Sequence, residues 1–281
     1  MRKLRNRIRL LGIIFILLPL FTSTVKYDVS SSEDILLSEA RVQEIEHVEN
    51  TESASDLNIT GVAGALTMAE IPVIKRAYIT IDDGPSVNTD RILDILNMYG
   101  VKATFFVNNK QGADNMLRYQ RIVNEGHTIG LHSSTHEYKS VYRDDEAFLA
   151  DLQANQSYIA SITGVVPVVY RFPGGSNNSV APHGTDSFIN ILNNLGIAYY
   201  DWNSYVGDAV KKPRPKDVLV SNALSGCNGK NDVMILMHDT PEKKSTVEAL
   251  PEIIEGLAAR GYLILPIDPS VPSTTPVFHF K

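Results

Sequence analysis

Two adjacent aspartates, two histidines four residues apart, a lone arginine and a distant histidine are the side chains of this sequence best suited to chemistry. Asp82 and Asp83 close the run "ITIDD" (79–83), and His132 and His136 bound "HSSTH" (132–136). Neighbouring carboxylates repel each other and are costly to take out of water. Side chains also alternate faces along a strand, so a strand gains little from an acidic doublet in its body and can use one at its end. A helical turn through 132–136 would put both imidazoles on one face, within about 6 Å of rise. With one carboxylate from another strand end they would form a His-His-Asp site, a donor set that suits zinc with a position open for water. Taken alone, the histidine pair is as readily an ordinary surface pair. No glutamate adjoins His132, so the HExxH layout is absent. A catalytic base would have to come from elsewhere, and the second aspartate of the doublet could supply it.

The elements that must position these groups follow from the pattern of the chain. Apolar, strand-like runs fall at 77–81, 103–107, 127–131, 167–170, 197–200, 233–237 and 262–267, with helical segments at 90–100, 115–126, 145–164, 186–196 and 246–261. Strands alternating with helices predict a parallel sheet covered by helices. Seven strands fit an irregular (β/α) barrel of α/β class better than a flat doubly wound sheet. In such barrels the chemistry gathers at the C-terminal ends of the strands. Five of the seven expected ends carry candidates: Asp82-Asp83, "LHSSTH" (131–136), "RFPGG" (171–175), "DWN" (201–203) and His238-Asp239. No glycine-rich phosphate loop follows the first strand and no GxSxG occurs, which argues against nucleotide binding and against a serine esterase.

Charge and composition bound the rest. The 281 residues are 43% hydrophobic and 21% charged, enough for a sizeable core, with a formal charge of −6. Residues 1–9 are basic and free of acids. The remainder carries 21 Lys and Arg against 32 Asp and Glu. Such a surface repels phosphate backbones, so no nucleic-acid partner is expected. The single cysteine, Cys227, excludes an internal disulfide and reads as a small core side chain. The basic start followed by "LLGIIFILLPLFTSTV" (10–25) predicts a signal peptide or signal-anchor over 1–25, hence export to the cell surface or beyond. The membrane would be met only through that segment. Residues 26–72 read as an acidic spacer or stalk, with a helix expected to start near Ser32. Residues 73–268 form the expected catalytic domain and 269–281 a Pro/Ser/Thr tail. A monomer is expected.

Five stretches in order, "TIDDGPS" (80–86), "HSSTH" (132–136), "RFPGG" (171–175), "DWNSYVGDA" (201–209) and "ILMHD" (235–239), resemble the motifs of the polysaccharide deacetylases, carbohydrate esterase family 4, with its NodB-like fold. The resemblance spans roughly 74–268. It implies that Asp83, His132 and His136 hold a divalent metal, zinc first, with cobalt or another divalent ion as alternative. It further implies that Asp82 is the general base and that Arg171 orients it and keeps it ionised. His238 would protonate the leaving amine, Leu236 would line the acetyl pocket, and the Gly174 N–H would help stabilise the oxyanion. Family members often carry an aromatic where Gly174 stands; a backbone donor does not depend on that side chain. The fourth motif departs from the pattern. Aligned on Trp202, it makes Asp208 the residue that tunes His238, with Asp201 the alternative. Trp202 is then either a groove wall for a sugar or core packing. His127 and Asp239 are expected to brace the site, and His47, His183 and His279 to be ordinary surface residues.

The implied activity is removal of N-acetyl groups from a β-1,4-linked N-acetylhexosamine polymer, peptidoglycan N-acetylglucosamine foremost, with a cell-wall glycan as partner. An O-acetyl esterase on xylan, a chitooligosaccharide deacetylase and a non-catalytic wall-binding protein are the alternatives.

Overall fold

Strand β1 (Lys75–Asp82) generates both faces of the barrel by simple alternation. Ala77, Ile79 and Ile81 join the large apolar cluster beneath the helices, while Tyr78 belongs to a second, smaller cluster inside the barrel. Thr80 and Asp82 fall on the same inner side as Tyr78. The computed structural model describes residues 73–270 and 278–280. The export segment, the acidic spacer with its expected helix, and residues 271–277 lie outside the described residues.

Strands β2 (Thr104–Asn108), β3 (Thr128–Ser133), β4 (Val169–Tyr170), β5 (Ala198–Tyr199), β6 (Ser204–Tyr205), β7 (Asp232–His238) and β8 (Tyr262–Ile264) complete one parallel sheet in the order β5-β4-β3-β2-β1-β7-β6. The lower part of β1, Lys75 to Ala77, pairs with β8, and its upper part, Thr80 to Asp82, pairs with β2. On the other edge β1 pairs with β7 along its length, Asp82 opposite His238. No pairing joins β5 to β6 among the described residues, so the barrel keeps a seam there. Beyond β8 the chain turns inward, and Leu265 and Ile267 pack against Tyr78, Phe106, Val169 and Met234.

Helices α1 (Thr89–Met98), α2 (Ala113–Asn124), α3 (Tyr138–Val141), α4 (Asp145–Thr163), α5 (Asp186–Asn194), α6 (Lys216–Ser225) and α7 (Lys244–Ala259) cover the outer face. Helix α4 is the best delimited. The Asp144 carboxylate accepts from the Ala147 N–H at 2.7 Å, and Gly164 ends the helix at φ 74°. Its Phe148 stacks on Phe188 of α5 at 4.6 Å.

All seven expected strands and all five expected helices are present. Three elements were not anticipated. Strand β6 is two residues long and exists only through its pairing with β7. Helix α3 is four residues long, and α6 follows the "KKPRP" stretch (211–215), whose prolines read as loop.

Gly130 shows how tightly the interior is filled. A Cβ there would stand 2.7 Å from Phe106 Cδ1 and 3.0 Å from Val169 Cγ2. Gly130→Ala should therefore cost about 1–3 kcal/mol, seen as a lower urea midpoint at unchanged slope. A midpoint equal to that of the unmodified protein would show that the Phe106 ring yields freely.

Candidate active site

At the end of β1 the two aspartates part company. Asp82 continues the inward alternation, is 2% exposed, and accepts from Arg171 Nη1 through Oδ1 at 2.9 Å. Asp83 leaves it: at φ 74° its side chain turns toward the histidines, with Oδ1 3.1 Å from His136 Nε2 and 3.6 Å from His132 Nε2. Asp239 braces this turn. Its carboxylate accepts from the Ser86 and Thr89 hydroxyls at 2.5 Å each, and its N–H donates to the Asp82 carbonyl at 2.8 Å. Gly84 is needed beside it, because a Cβ there would meet Asp239 Oδ2 at 2.7 Å.

The expected helical turn through 132–136 is not what brings the imidazoles together. His132 is the penultimate residue of β3, and His136 reaches the same place on a loop that bends back, at φ 57°. Their ring centres are 5.2 Å apart. Helix α4 holds the bend. Asp151 accepts from Ser133 Oγ at 2.8 Å and from the N–H groups of Ser134 and Thr135 at 3.0 Å each; Ser133 Oγ in turn accepts from the His136 N–H. One turn further, Asn155 Oδ1 accepts from the His132 N–H at 3.2 Å, and its Nδ2 donates to Asn109 Oδ1 at 2.8 Å. Sequence reasoning passed over both residues. Their only signal was a pair of short polar side chains one turn apart on an otherwise core-facing helix.

Arg171 is fully buried under the site. Besides Asp82 it donates to Thr80 Oγ1, to the carbonyls of Tyr200 and Asp201 and to Met234 Sδ, and it lies over the Phe106 ring at 4.3 Å. Its own carbonyl oxygen sits 2.7 Å from His132 Nδ1. With that nitrogen donating its proton, Nε2 presents its lone pair toward Asp83. Gly174, at φ 80°, has an N–H without a partner among the described residues.

His238 stands beside Asp82 across the β1–β7 pairing. Asp208, not Asp201, contacts it: Oδ1 is 2.7 Å from His238 Nδ1, and Oδ2 accepts from the His238 N–H and from Thr246 Oγ1. Asp201 instead accepts from the N–H and hydroxyl of Ser176. Leu236 lies two residues before His238 on the same face of β7, and Trp202 is half-buried, 5.7 Å from the Arg171 guanidinium. His127 sits apart from the site, its Nδ1 accepting from the Ala103 N–H, and burial pushes it down to about 4. His183 and His279 are both exposed, as expected, and His279 also stacks on Tyr199.

The electrostatics sort these groups. Burial would push the Asp83 carboxyl up, but His132, His136 and His238 together hold it below the usual carboxylate range. Burial, with His132 adding to it, pulls His136 below a free imidazole despite the nearby aspartates. An ionised carboxylate and neutral imidazoles are the forms a metal binds. Asp83, His132 and His136 offer one ligand atom each, all within 4.8 Å of one another. The donor set, the fixed tautomer of His132 and the two aimed backbones fit a divalent cation such as zinc. At His238 burial works downward, and the Asp208 hydrogen bond and the surrounding carboxylates outweigh it, so its pKa is raised. A carboxylate locked to arginine, a second at the histidine pair and a carboxylate-backed imidazole can divide proton removal, metal binding and proton donation among them.

The polysaccharide deacetylase family model matches residues 71–200. The chain is 34% identical to YheN of Bacillus subtilis, whose name places it in the same family, over 67% of this chain and 65% of that protein. It is 33% identical to a peptidoglycan-N-acetylglucosamine deacetylase of Bacillus cereus over 67% of each. The chain thus spans about two thirds of the length of these relatives. Its fold is similar to the catalytic domain of a peptidoglycan N-acetylglucosamine deacetylase from Eubacterium rectale, with TM-score 0.68 and 34% identity over 82% of this chain and 97% of that one.

Because Asp151 touches neither histidine ring, it separates loop bracing from ligation. Asp151→Ala should leave the chain folded and weaken zinc binding about 10–100-fold, measured by titration against a competing chelator. Unchanged affinity would mean that the 132–136 loop holds its shape without α4.

Proposed function

From a chain that belongs to the polysaccharide deacetylase family, carbohydrate esterase family 4, we infer a metal-dependent hydrolase that removes N-acetyl groups from a β-1,4-linked N-acetylhexosamine polymer. Peptidoglycan N-acetylglucosamine is the substrate of choice, with acetate as the acid product. Family membership gives the coarser statement, a hydrolase acting on polysaccharide. The observation that carries the finer one is the pairing of Asp82 with His238 across β1 and β7, beside the cluster of Asp83, His132 and His136.

Hydrolysis of an acetamide needs an activated water, stabilisation of the oxyanion and a proton for a poor amine leaving group. A divalent metal on Asp83, His132 and His136 supplies Lewis acidity for the first two. Asp82 has Oδ1 tied to Arg171, and its Oδ2, 4.0 Å from His132 Nε2, is left to take the proton of the attacking water. His238 has Nδ1 tied to Asp208, so Nε2 is the nitrogen that gives a proton to the departing amine. The Gly174 N–H is a free donor for the acyl oxygen, and Leu236 provides an apolar wall for the acetyl methyl. As water adds to the acyl carbon the C–N bond breaks, and acetate and a free amino sugar leave. A cleft of about 510 Å³ adjoins Asp83, lined by Pro85, Val87, Lys110, Asn115, Thr240 and Pro241, and offers room for the neighbouring sugar. Export through residues 1–25, action at the cell surface as a monomer and the absence of a nucleic-acid partner belong to this reading.

The test is acetate release from peptidoglycan, glycol chitin and acetylxylan, with mass spectrometry of the muropeptides to place the lost acetyl group. Release from the N-acetylated polymers should vanish on chelation and return with zinc. Asp82→Asn should lose about 10²–10⁴-fold in rate. Full activity after chelation or in Asp82→Asn defeats the mechanism, turnover of the ester alone makes the protein an O-acetyl esterase, and tight glycan binding without release makes it a wall-binding protein.

A pH dependence follows from His238. Its raised pKa keeps the acid form populated as pH climbs, and activity should fall on the alkaline side as that proton leaves. Asp208→Asn removes the main upward pull, so the alkaline limb should move to lower pH as kcat drops. A limb that stays in place would assign it to another group.

A further inference from the structure

The C-terminal residues, which read as a tail, come back to the site. Phe278 is buried in the inner cluster, its ring edge-on to Tyr78 at 6.1 Å, and its carbonyl accepts from the Asp201 N–H at 2.6 Å. His279 lies flat on Tyr199, with ring centres 3.7 Å apart and planes within 5°, and its Nε2 is 3.0 Å from the Tyr199 carbonyl. The Phe280 N–H donates to Asp201 Oδ2 at 2.8 Å, and its ring meets Trp202 edge-on at 4.9 Å. Both rings crowd Gly175, where a Cβ would stand 2.7 Å from Phe280 and 3.2 Å from Trp202.

Asp201 joins these contacts to the catalytic groups. It is fully buried, its carboxylate holds Ser176 on one side and Phe280 on the other, and its carbonyl accepts from Arg171 Nη2 at 3.0 Å. Arg171 in turn holds Asp82. Residues 200–203 link β5 to β6 across the unpaired seam. The N–H groups of Tyr200 and Asn203 donate to the Tyr170 and Met234 carbonyls at 3.0 and 3.1 Å, and between these two anchors, among the described residues, no strand bonds to Asp201 or Trp202. The tail supplies what a ladder would: a backbone bond to the Asp201 N–H, a donor to its carboxylate and an aromatic edge against Trp202.

We propose that residues 278–280 are a positioning element of the hydrolytic site, clamping Asp201 and Trp202 at the barrel seam and thereby fixing the 171–176 loop that carries Arg171 and Gly174. The effect on rate rests on the deacetylase reading; the clamp itself does not. The polar and ring contacts of the three residues are with Tyr78, Tyr199, Asp201 and Trp202, not with Asp82, Asp83, His132, His136 or His238. Their influence passes through Asp201 to the loop, and a displacement of about 1 Å at a reacting group can cost on the order of 10²-fold in rate.

Two substitutions separate the contacts. Phe280→Ala removes the ring, and Phe280→Pro removes the N–H that Asp201 accepts. Trp202 is the only tryptophan of the chain, so its emission reports on the clamp whether or not a substrate is known. In the full-length protein, Phe280→Ala should shift that emission to the red and raise its quenching by acrylamide. Phe280→Pro should speed amide hydrogen exchange in a peptide covering 171–176. On chitooligosaccharide both should lower kcat about tenfold with KM changed less than about twofold, at unchanged zinc affinity, and Phe280→Leu should recover most of the Phe280→Ala loss. Unchanged emission and exchange overturn the proposal, and so does a clamp that loosens while kcat stays at the unmodified value. If the unmodified protein deacetylates no glycan, the deacetylase reading fails, and emission and exchange still decide whether 278–280 hold the loop.

Discussion

A positive charge sits where a barrel of this size would ordinarily have an apolar layer, and the site is arranged around it. Moving a guanidinium and a carboxylate out of water costs several kcal/mol per ion, and their attraction repays this only when the remaining donors are also satisfied. Arg171 meets that condition. Asp82, Thr80, Met234 and the carbonyls of Tyr200 and Asp201 take its N–H groups, and the Phe106 face covers the plane. Removing one partner of such a pair typically costs about 3–5 kcal/mol. The interior is thus committed to an arrangement in which β1, β4, β7 and the β5–β6 link converge on one side chain. That same residue, through its carbonyl, sets the tautomer of His132. The proposed base and an expected metal ligand therefore share one anchor.

The second commitment is backbone strain, and it falls on two of the three expected ligands. Asp83 and His136 are the only non-glycine residues at positive φ among the described residues. Such conformations cost on the order of 1–3 kcal/mol each and persist where the surroundings over-determine them. Here they do. The turn at Asp83 is fixed by its N–H to the Phe106 carbonyl and by Asp239 behind Gly84, and the bend at His136 by Ser133 and Asp151. Relaxing either residue would restore a more comfortable chain and withdraw a ligand atom from the cluster. The strain is located where pre-organisation of a metal site would require it.

This division explains what could be read in the sequence and what could not. The long strands announce themselves because β1 and β7 are runs of β-branched and apolar residues, and the motif residues announce themselves because they sit where those runs stop. Strand β6 has no such signature, since two residues cannot show a period, and α6 is hidden behind Pro213 and Pro215. Asp151 and Asn155 act through the register of a helix against a loop, a relation fixed only by packing. The choice between Asp201 and Asp208 was open for a similar reason. Both are buried aspartates near Trp202 in sequence, and only the β6–β7 pairing decides which meets His238. The tail reads as linker because Pro, Ser and Thr dominate its composition, while the contacts that matter are made by a Phe-His-Phe triplet at its end.

Five buried or nearly buried aspartates crowd one end of this barrel, and their neighbours alone give them different work. Asp82 faces a guanidinium, Asp83 two imidazoles, Asp208 one imidazole and a hydroxyl. Asp239 has two hydroxyls and no cation in contact, and burial, only partly offset by those hydroxyls, raises its pKa, whereas histidine partners lower those of Asp83 and Asp208 against the same burial. Asp201 has only hydrogen-bond donors from Ser176 and Phe280 at its carboxylate. Like charges this close repel strongly in a buried site, where water-like screening is missing. The structure avoids that by giving the acids that must be charged a cationic or protonatable partner, and the bracing acids hydroxyl or amide donors. What would distinguish the proposed base from the expected ligand and from the braces is therefore the partner that each carboxylate faces.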